Sequence, residues 1–286
     1  MLEEIVVSVS RNFLPLKLFE SLSSLEFVCK TSRLNSIVSK TLANRDLTLR
    51  NGVGTGIKFN SSNYNLQTAM GIYELPLQKA LSKHLNQGDI VYDIGANVGF
   101  FTVISAKLVG NSGHVYAFEP DPNNIKSLEH NVQLNSFANV TVLKQAVARS
   151  TGTGELLLGR HSGGHTLSTT AKSQAPKYQS SPKIPVKLVA IDDLVAQQII
   201  APPAVVKIDV EGAELDVLQG MSQTIKKFKP IIIYEIDDPL EETFLQKQEE
   251  ADSFVRQFAY KIIPLEDWYP QTQHHVGHVV AIPNEN

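Results

Sequence analysis

The chain has 286 residues, 42% of them apolar, which suits one large α/β domain with an added segment better than two independent domains. Its 26 basic and 29 acidic residues leave a net charge of −3, which excludes the basic field that recruits nucleic acid or an anionic membrane. The single cysteine, Cys29, excludes an internal disulfide and a cysteine-based zinc site and fits a reducing compartment, with cytoplasm as the default.

The N-terminus, Met1-Leu2-Glu3-Glu4, lacks the basic stretch and small-residue cleavage site of a signal peptide. No apolar run approaches the ~20 residues a spanning helix needs; Ile231-Ile232-Ile233 is typical of the blocks present, so no transmembrane segment and a soluble protein are expected. Leu14 to Leu25 mixes Leu, Phe and Lys, as an amphipathic helix does, either packing on its own domain or making peripheral membrane contact. Within Leu47 to Asn60, Asn51-Gly52 and Gly54-x-Gly56 mark turns between two strands. Residues 1–75 therefore read as an N-terminal cap and residues 76–286 as the main domain.

From Gly88 onward, short β-branched runs alternate with helical patterns, the signature of βαβ units and a parallel sheet. Strands are predicted at Ile90 to Ile94, His114 to Glu119, Val140 to Gln145, Val205 to Asp209 and Pro230 to Ile236. The near-continuous apolar character of the first and the last two indicates burial on both faces. Helices are predicted at Gly99 to Val109, Pro122 to Leu134 and Ala213 to Lys227. Arg160 to Lys183, rich in Ser, Thr, Gly, Pro and Lys, reads as a long substrate-side surface loop. The tail offers a helix from Phe244 to Phe258 and two strands, Tyr260 to Pro264 and His278 to Pro283, paired antiparallel at the sheet's edge. The count is seven core strands.

Gly95 and Gly99 follow the first of these strands, Glu119 ends the second, and Asp209 ends the fourth. In an open α/β sheet ligands bind outside the carboxyl ends of the strands near the topological switch point, so these positions converge on one crevice. Glu119 stands 26 residues after Asp93, where an acidic side chain can accept two hydrogen bonds from the cis hydroxyls of a ribose. Dinucleotides and S-adenosylmethionine both carry that ribose. A dinucleotide turn reads G-x-G-x-x-G, with the second glycine admitting a pyrophosphate. Here the turn is Asp93-x-Gly95-Ala96-Asn97-x-Gly99, with Asn97 in the second glycine's place. Asp93 repels a pyrophosphate and suits an ammonium or sulfonium, so the methyl donor fits better.

Asp93-Ile-Gly-Ala-Asn-Val-Gly99, Phe118-Glu119-Pro120-Asp121-Pro122, Lys207-Ile-Asp209-Val-Glu211-Gly212-Ala-Glu214 and Pro230 to Glu235, with a Gly71-x-Tyr73-Glu74 lead-in, together resemble the FkbM-type class I methyltransferases over roughly residues 50–270. The resemblance implies a Rossmann-like seven-stranded, mostly parallel sheet with helices on both faces. It also implies S-adenosylmethionine-dependent O-methylation of a glycan, glycolipid or natural-product hydroxyl. Carried over by residue, Asp93, Gly95 and Asn97 face the methionine part, with Gly99 completing the turn, and Glu119 holds the ribose. Gln145 meets the adenine amino group, and Tyr73 and Glu74 close the donor pocket. A nicotinamide-dependent oxidoreductase and a non-catalytic binding protein with the same fold are the alternatives.

Methyl transfer from sulfonium to oxygen is an in-line displacement that needs the reacting atoms held about 3–3.5 Å apart and a route for the hydroxyl proton. Strand alternation puts Lys207, Asp209 and Glu211 on one side until the chain turns at Gly212. Asp209 is the first choice for base or substrate anchor, Glu211 the second, and His165 an alternative if its loop closes. Glu214 suits a helix N-terminus. Asp209, Glu211 and Glu235 carry hard oxygen ligands but form no dedicated triad. His161, His165, His274, His275 and His278 read as solvated, so no metal site is expected. The acceptor's identity and the oligomeric state are not legible.

Overall fold

Val205–Ile208 is buried at every position, as a strand covered by helices on both faces must be. The computed structural model describes residues 40–62, 66–159, 165–167, 182–266 and 275–284. Leu14 to Leu25, Cys29, His161, His274 and most of Arg160 to Lys183 lie outside the described residues. In chain order the elements are β1 (Asp46–Thr48), β2 (Lys58–Asn60), α1 (Leu66–Met70), α2 (Leu75–His84), β3 (Ile90–Ile94), α3 (Phe100–Val109), β4 (His114–Phe118) and α4 (Pro122–Leu134). Then follow β5 (Val140–Leu143), β6 (Ala146–Val147), β7 (Gly152–Leu157), β8 (Thr166–Leu167), β9 (Lys183–Val189), α5 (Ile191–Ala196) and β10 (Val205–Ile208). The last are α6 (Glu214–Gly220), α7 (Ser222–Phe228), β11 (Ile231–Asp238), α8 (Glu241–Arg256), β12 (Tyr260–Pro264) and β13 (His275–Pro283).

The main sheet has seven strands in the order β12-β13-β11-β10-β3-β4-β5. Six strands run in one direction, and β13 alone is antiparallel, to both of its neighbours. The chain leaves β3 toward β4 and β5 and returns to β10 on the other side of β3. The switch point is therefore between β3 and β10, where Asp93 and Lys207 are register partners. Both faces of the sheet are filled. On one, Tyr92, Phe118, Tyr234, Val217 and Val255 pack together, and on the other Val91, Leu81, Val103 and Ile104 do. Each large side chain buried this fully contributes roughly 1.5–3 kcal/mol.

Three expectations are corrected. The tail pair is antiparallel, but the last strand begins at His275 and is inserted between β11 and β12, leaving β12 at the edge. The helix expected from Ala213 to Lys227 is two helices, because the backbone leaves helical geometry at Met221, φ −123° and ψ 20°. A second sheet, β6-β9-β7-β8, occupies the stretch around the expected loop, with β7 antiparallel to β9. Pro185 inside β9 and the two-residue length of β8 hid it.

The β1–β2 hairpin is tied to the end of α4 by four asparagine hydrogen bonds, one of them from Asn135 Nδ2 to the Lys58 carbonyl at 2.7 Å. The amides of Lys58 and Asn60 donate to Asn135 Oδ1 and Asn131 Oδ1 at 2.8 and 2.7 Å, and Asn131 Nδ2 donates to the Asn60 carbonyl at 3.0 Å. Buried Gln78 on α2 binds the next two segments together. Its Nε2 donates to the carbonyls of Gly71 and Tyr73 at 3.0 and 2.6 Å, and its Oε1 accepts from Val53 at 2.9 Å. These contacts set Tyr73 and Glu74 over the strand ends.

Candidate active site

The turn after β3 is shaped by what lies beneath it. Gly95 has φ +76°, and a Cβ there would fall 1.7 Å from the carbonyl oxygen of Asp209, so only glycine lets β3 and β10 close at this point. At Gly99, φ +89°, a Cβ would meet Leu128 at 2.4 Å, which keeps α3 against α4. The turn's amides are spent inside the protein. Those of Gly95 and Ala96 donate to the Phe118 carbonyl, that of Gly99 to the Ala96 carbonyl, and that of Asn97 to Glu119 Oε2 at 2.8 Å. A pyrophosphate needs free amides at this turn, and these four are taken.

Glu119 is buried at the rim of a crevice whose empty space, open solvent included, is about 740 Å³. Its Oε1 accepts from the Asp121 amide at 2.8 Å, while Asp121 in turn caps α4 by accepting from the amides of Asn123 and Asn124. Burial pushes the Glu119 carboxyl up to about 7 against these donors. Beside it, Asn97 lines the same space, and its Oδ1 is buried with no hydrogen-bond partner. Asn97 holds φ 51°, a conformation asparagine tolerates better than most residues. Ala146, Val147, Leu156 and Leu167 form the apolar wall.

The opposite wall is acidic. Asp209 and Glu235 line it, with Glu211 between strand and helix at φ 54°. Below them Lys207, with its side chain 4% exposed, is 3.2 Å from Asp93 and 3.4 Å from Asp209 and donates to the Gly95 carbonyl at 2.9 Å. Burial opposes the Lys207 charge, but Asp93 and Asp209 outweigh it and hold the ammonium above its ordinary value. Burial raises the Asp209 carboxyl, with Lys207 pulling it back. Glu235 is raised by burial and then by Asp209, and its Oε2 lies 2.5 Å from His278 Nε2. His278 also lies 3.5 Å from Glu74, and the two carboxylates overcome burial to raise its pKa.

Residues 93–262, more than half of the chain, match the model of the methyltransferase FkbM domain. This chain belongs to the FkbM methyltransferase family. The hexuronic acid methyltransferase AglP of Haloferax volcanii is 27% identical over 155 residues, 54% of this chain and 59% of that protein. The 31-O-demethyl-FK506 methyltransferase FkbM of Streptomyces tacrolimicus is 29% identical over 160 residues, 48% of this chain and 61% of that protein. The chain thus spans about three fifths of these curated relatives. The methyltransferase FkbM from Methylobacillus flagellatus shares the fold, with a TM-score of 0.50 at 14% identity over 96% of this chain and 60% of that one. The cofactor of this methyltransferase domain is S-adenosylmethionine. The orphaned Asn97 oxygen, the Glu119 carboxylate and the apolar wall suit an amino acid, a ribose diol and an adenine respectively.

Of the residues singled out in the sequence, Tyr73, Gly95, Asn97, Glu119, His165, Asp209, Glu211 and Glu235 meet at the crevice. Asp93, Glu74, Gly99 and Gln145 are not in its lining. Asp93 lies beneath it, 1% exposed, accepting from Thr102 Oγ1 at 2.5 Å and paired with Lys207. Gly99 acts on helix packing, and Gln145 stands one residue before the lining pair Ala146 and Val147. His165 Nδ1 accepts from the Gly159 amide at 2.9 Å, which leaves the ring proton on Nε2. Burial lowers its pKa, so the ring is neutral near pH 7. His278, expected to be solvated, is 6% exposed. Thr102, Gln78 and Asn124 gave no sequence signal, since each acts through a tertiary partner.

Proposed function

We propose that this domain moves the methyl group of S-adenosylmethionine to a hydroxyl of a glycan, glycolipid or natural-product intermediate, in the cytoplasm and not on nucleic acid. The observation that carries this reading is one crevice with a ribose-type carboxylate, Glu119, on one wall and paired acids, Asp209 and Glu235, on the other. The bound donor supplies an electrophilic methyl on a sulfonium. Glu119 accepts the ribose hydroxyls, and Asn97 Oδ1 accepts from the donor's ammonium. Ala146 and Val147, with the neighbouring Gln145, take the adenine.

Asp209 takes the acceptor's hydroxyl proton on its carboxylate, with Lys207 holding that carboxylate in place and Glu235 orienting the acceptor. The placement of the proton on His165 Nε2 favours a donor's role for that ring, so the base is assigned to Asp209 and not to His165. Glu211 flanks the acceptor. Tyr73, packed edge-on against Phe100 with centroids 6.0 Å apart, closes the crevice, and residues 1–75 act as the cap that carries it. Two of the curated relatives are named for a hexuronic acid and for 31-O-demethyl-FK506, which supports a hydroxyl-bearing acceptor.

Incubation with methyl-tritiated donor and a panel of glycans, glycolipids and polyhydroxylated metabolites tests the reading. Label in an ether-linked methyl is expected. Label recovered only in nucleic acid, or none in any extract while a nicotinamide cofactor is turned over, would overturn it.

A further inference from the structure

Asp93 leads the glycine turn, where its charge suits the donor's sulfonium or ammonium, yet its carboxylate is engaged inside the protein. It is 1% exposed and is not in the crevice lining, to which the end of β3 and its turn contribute Ile94, Gly95 and Asn97. Its Oδ2 accepts from Thr102 Oγ1 on α3 at 2.5 Å, and its Oδ1 meets Lys207 Nζ at 3.2 Å as an ion pair. Asp93 and Lys207 are register partners on β3 and β10, so the sheet itself fixes the pair.

Lys207 does not serve Asp93 alone. Its Nζ lies 3.4 Å from Asp209 Oδ2, donates to the Gly95 carbonyl at 2.9 Å and sits 5.4 Å from the centroid of the Phe101 ring. One buried ammonium therefore stands between a carboxylate sealed from the crevice and a carboxylate that lines it. The division matters for a proton acceptor. Burial raises the Asp209 carboxyl and Lys207 pulls it back, and an undivided ammonium would hold it too firmly ionised to take a proton readily. The other charged groups facing Asp209 among the described residues are Glu74 from before α2, His278 from β13 and Glu235 from β11. His278 pairs with both of those glutamates, whereas Asp93 competes with Asp209 for Lys207.

We propose that Asp93 is a positioning residue of the acceptor side: it shares Lys207 with Asp209, so that Lys207 steadies the Asp209 carboxylate without locking it, and it makes no contact with the donor. The chain of contacts runs from Thr102 through Asp93 and Lys207 to Asp209, from α3 across two strands to the crevice. What the sharing does for proton removal rests on the reaction proposed above. The sharing itself rests on the two ion pairs. Asp93→Asn keeps an acceptor for Thr102 and removes the competing charge, which gives Lys207 to Asp209 undivided.

Two measurements on the full chain test this: calorimetric titration with S-adenosylhomocysteine, and carbon-13 NMR titration of the Asp209 carboxyl, assigned by its loss in Asp209→Asn. In Asp93→Asn the affinity for S-adenosylhomocysteine is expected to weaken by less than about tenfold, the least that loss of a charged contact to the ammonium costs. The pH midpoint of the Asp209 resonance is expected to fall. Thr102→Val strips a hydrogen bond from Asp93 but keeps its charge, which tightens its hold on Lys207, and here the midpoint is expected to rise. A folded Asp93→Asn that binds S-adenosylhomocysteine tenfold or more weakly makes Asp93 a donor ligand and overturns the proposal, as does an Asp209 midpoint that stays or rises in that variant. If Asp93→Asn does not fold, Thr102→Val decides the sharing, and an unmoved midpoint overturns it. The wild-type Asp93 carboxyl resonance then decides the contact. It is expected to hold its place on saturation with S-adenosylhomocysteine while that of Glu119 moves, and a displacement as large as that of Glu119 overturns it. A wild type that binds no S-adenosylhomocysteine counts against the methyl-transfer reading and leaves the sharing to be decided by the NMR titration.

Discussion

Glu119 holds a carboxyl near neutrality in a place where its ionised form has work to do. A carboxylate accepts two ribose hydroxyls, whereas the protonated group has lost acceptor capacity, so binding of the donor favours ionisation. The affinity for S-adenosylhomocysteine is therefore expected to be level above about pH 8 and to weaken by up to about tenfold per unit as pH falls below 7, the value at which Glu119 takes up its proton. Calorimetry across pH 5.5–8.5 measures this, and a flat profile would remove Glu119 from the ribose site. Asp209→Asn keeps the shape of the crevice and removes the base. It should lower kcat by about 10²–10⁴ while donor affinity stays within about twofold. A kcat unchanged across pH would transfer the role elsewhere. At this scale the sequence was legible where spacing alone brings a residue to the crevice, as for Glu119 and Asn97. It was not legible for His278, whose burial depends on pairing with Glu235 across a register that no spacing reveals. Asp93 was read by its charge, and its cation is Lys207 from the neighbouring strand.

The start of α6 carries the same electrostatic cost without a ligand to justify it. Glu214 is buried beside Asp237, and burial first and Asp237 second push its carboxyl up to about 7 from an unfolded value of 4.5. A carboxyl with a raised folded pKa binds its proton more tightly when folded, so stability declines as pH climbs from 4.5 to 7, and the full cost is present above 7. That cost is at most about 3 kcal/mol, with the opposing hydrogen bond from the Gly212 amide to Oε1 already included. Glu214→Gln keeps an acceptor for that amide and removes the charge. The variant should be more stable than the wild type by about 1–3 kcal/mol at pH 8 and indistinguishable near pH 4.5, as read by denaturant unfolding. Equal gains at both pH values would show that packing is responsible. Elements were legible in proportion to how local their cause is. The apolar runs of β3, β10 and β11 announce buried strands, but the break between α6 and α7 at Met221 falls inside a continuous helical pattern, and the need for glycine at 220 comes from the Ala148 carbonyl. The small sheet is assembled from short strands, one interrupted by Pro185, which carry little pattern.

For the whole molecule, the switch point between β3 and β10 brings together residues more than a hundred positions apart, and the closure at Gly95 makes that meeting specific. Family, sheet order and crevice agree on a methyl-donor site, and the spent amides of the turn separate it from a dinucleotide site of the same general plan. The chain covers about three fifths of its curated relatives, so acceptor choice belongs to the proposal and not to the family match. Among the described residues no helix is long and apolar enough to cross a membrane. The most direct measurement is paired calorimetric titration of this protein with S-adenosylhomocysteine and with NAD, repeated on Glu119→Ala. One S-adenosylhomocysteine per chain is expected, weakened at least tenfold by the substitution, with no binding of NAD. Tight binding of NAD, or an affinity for S-adenosylhomocysteine untouched by the loss of Glu119, would contradict the assignment of this crevice.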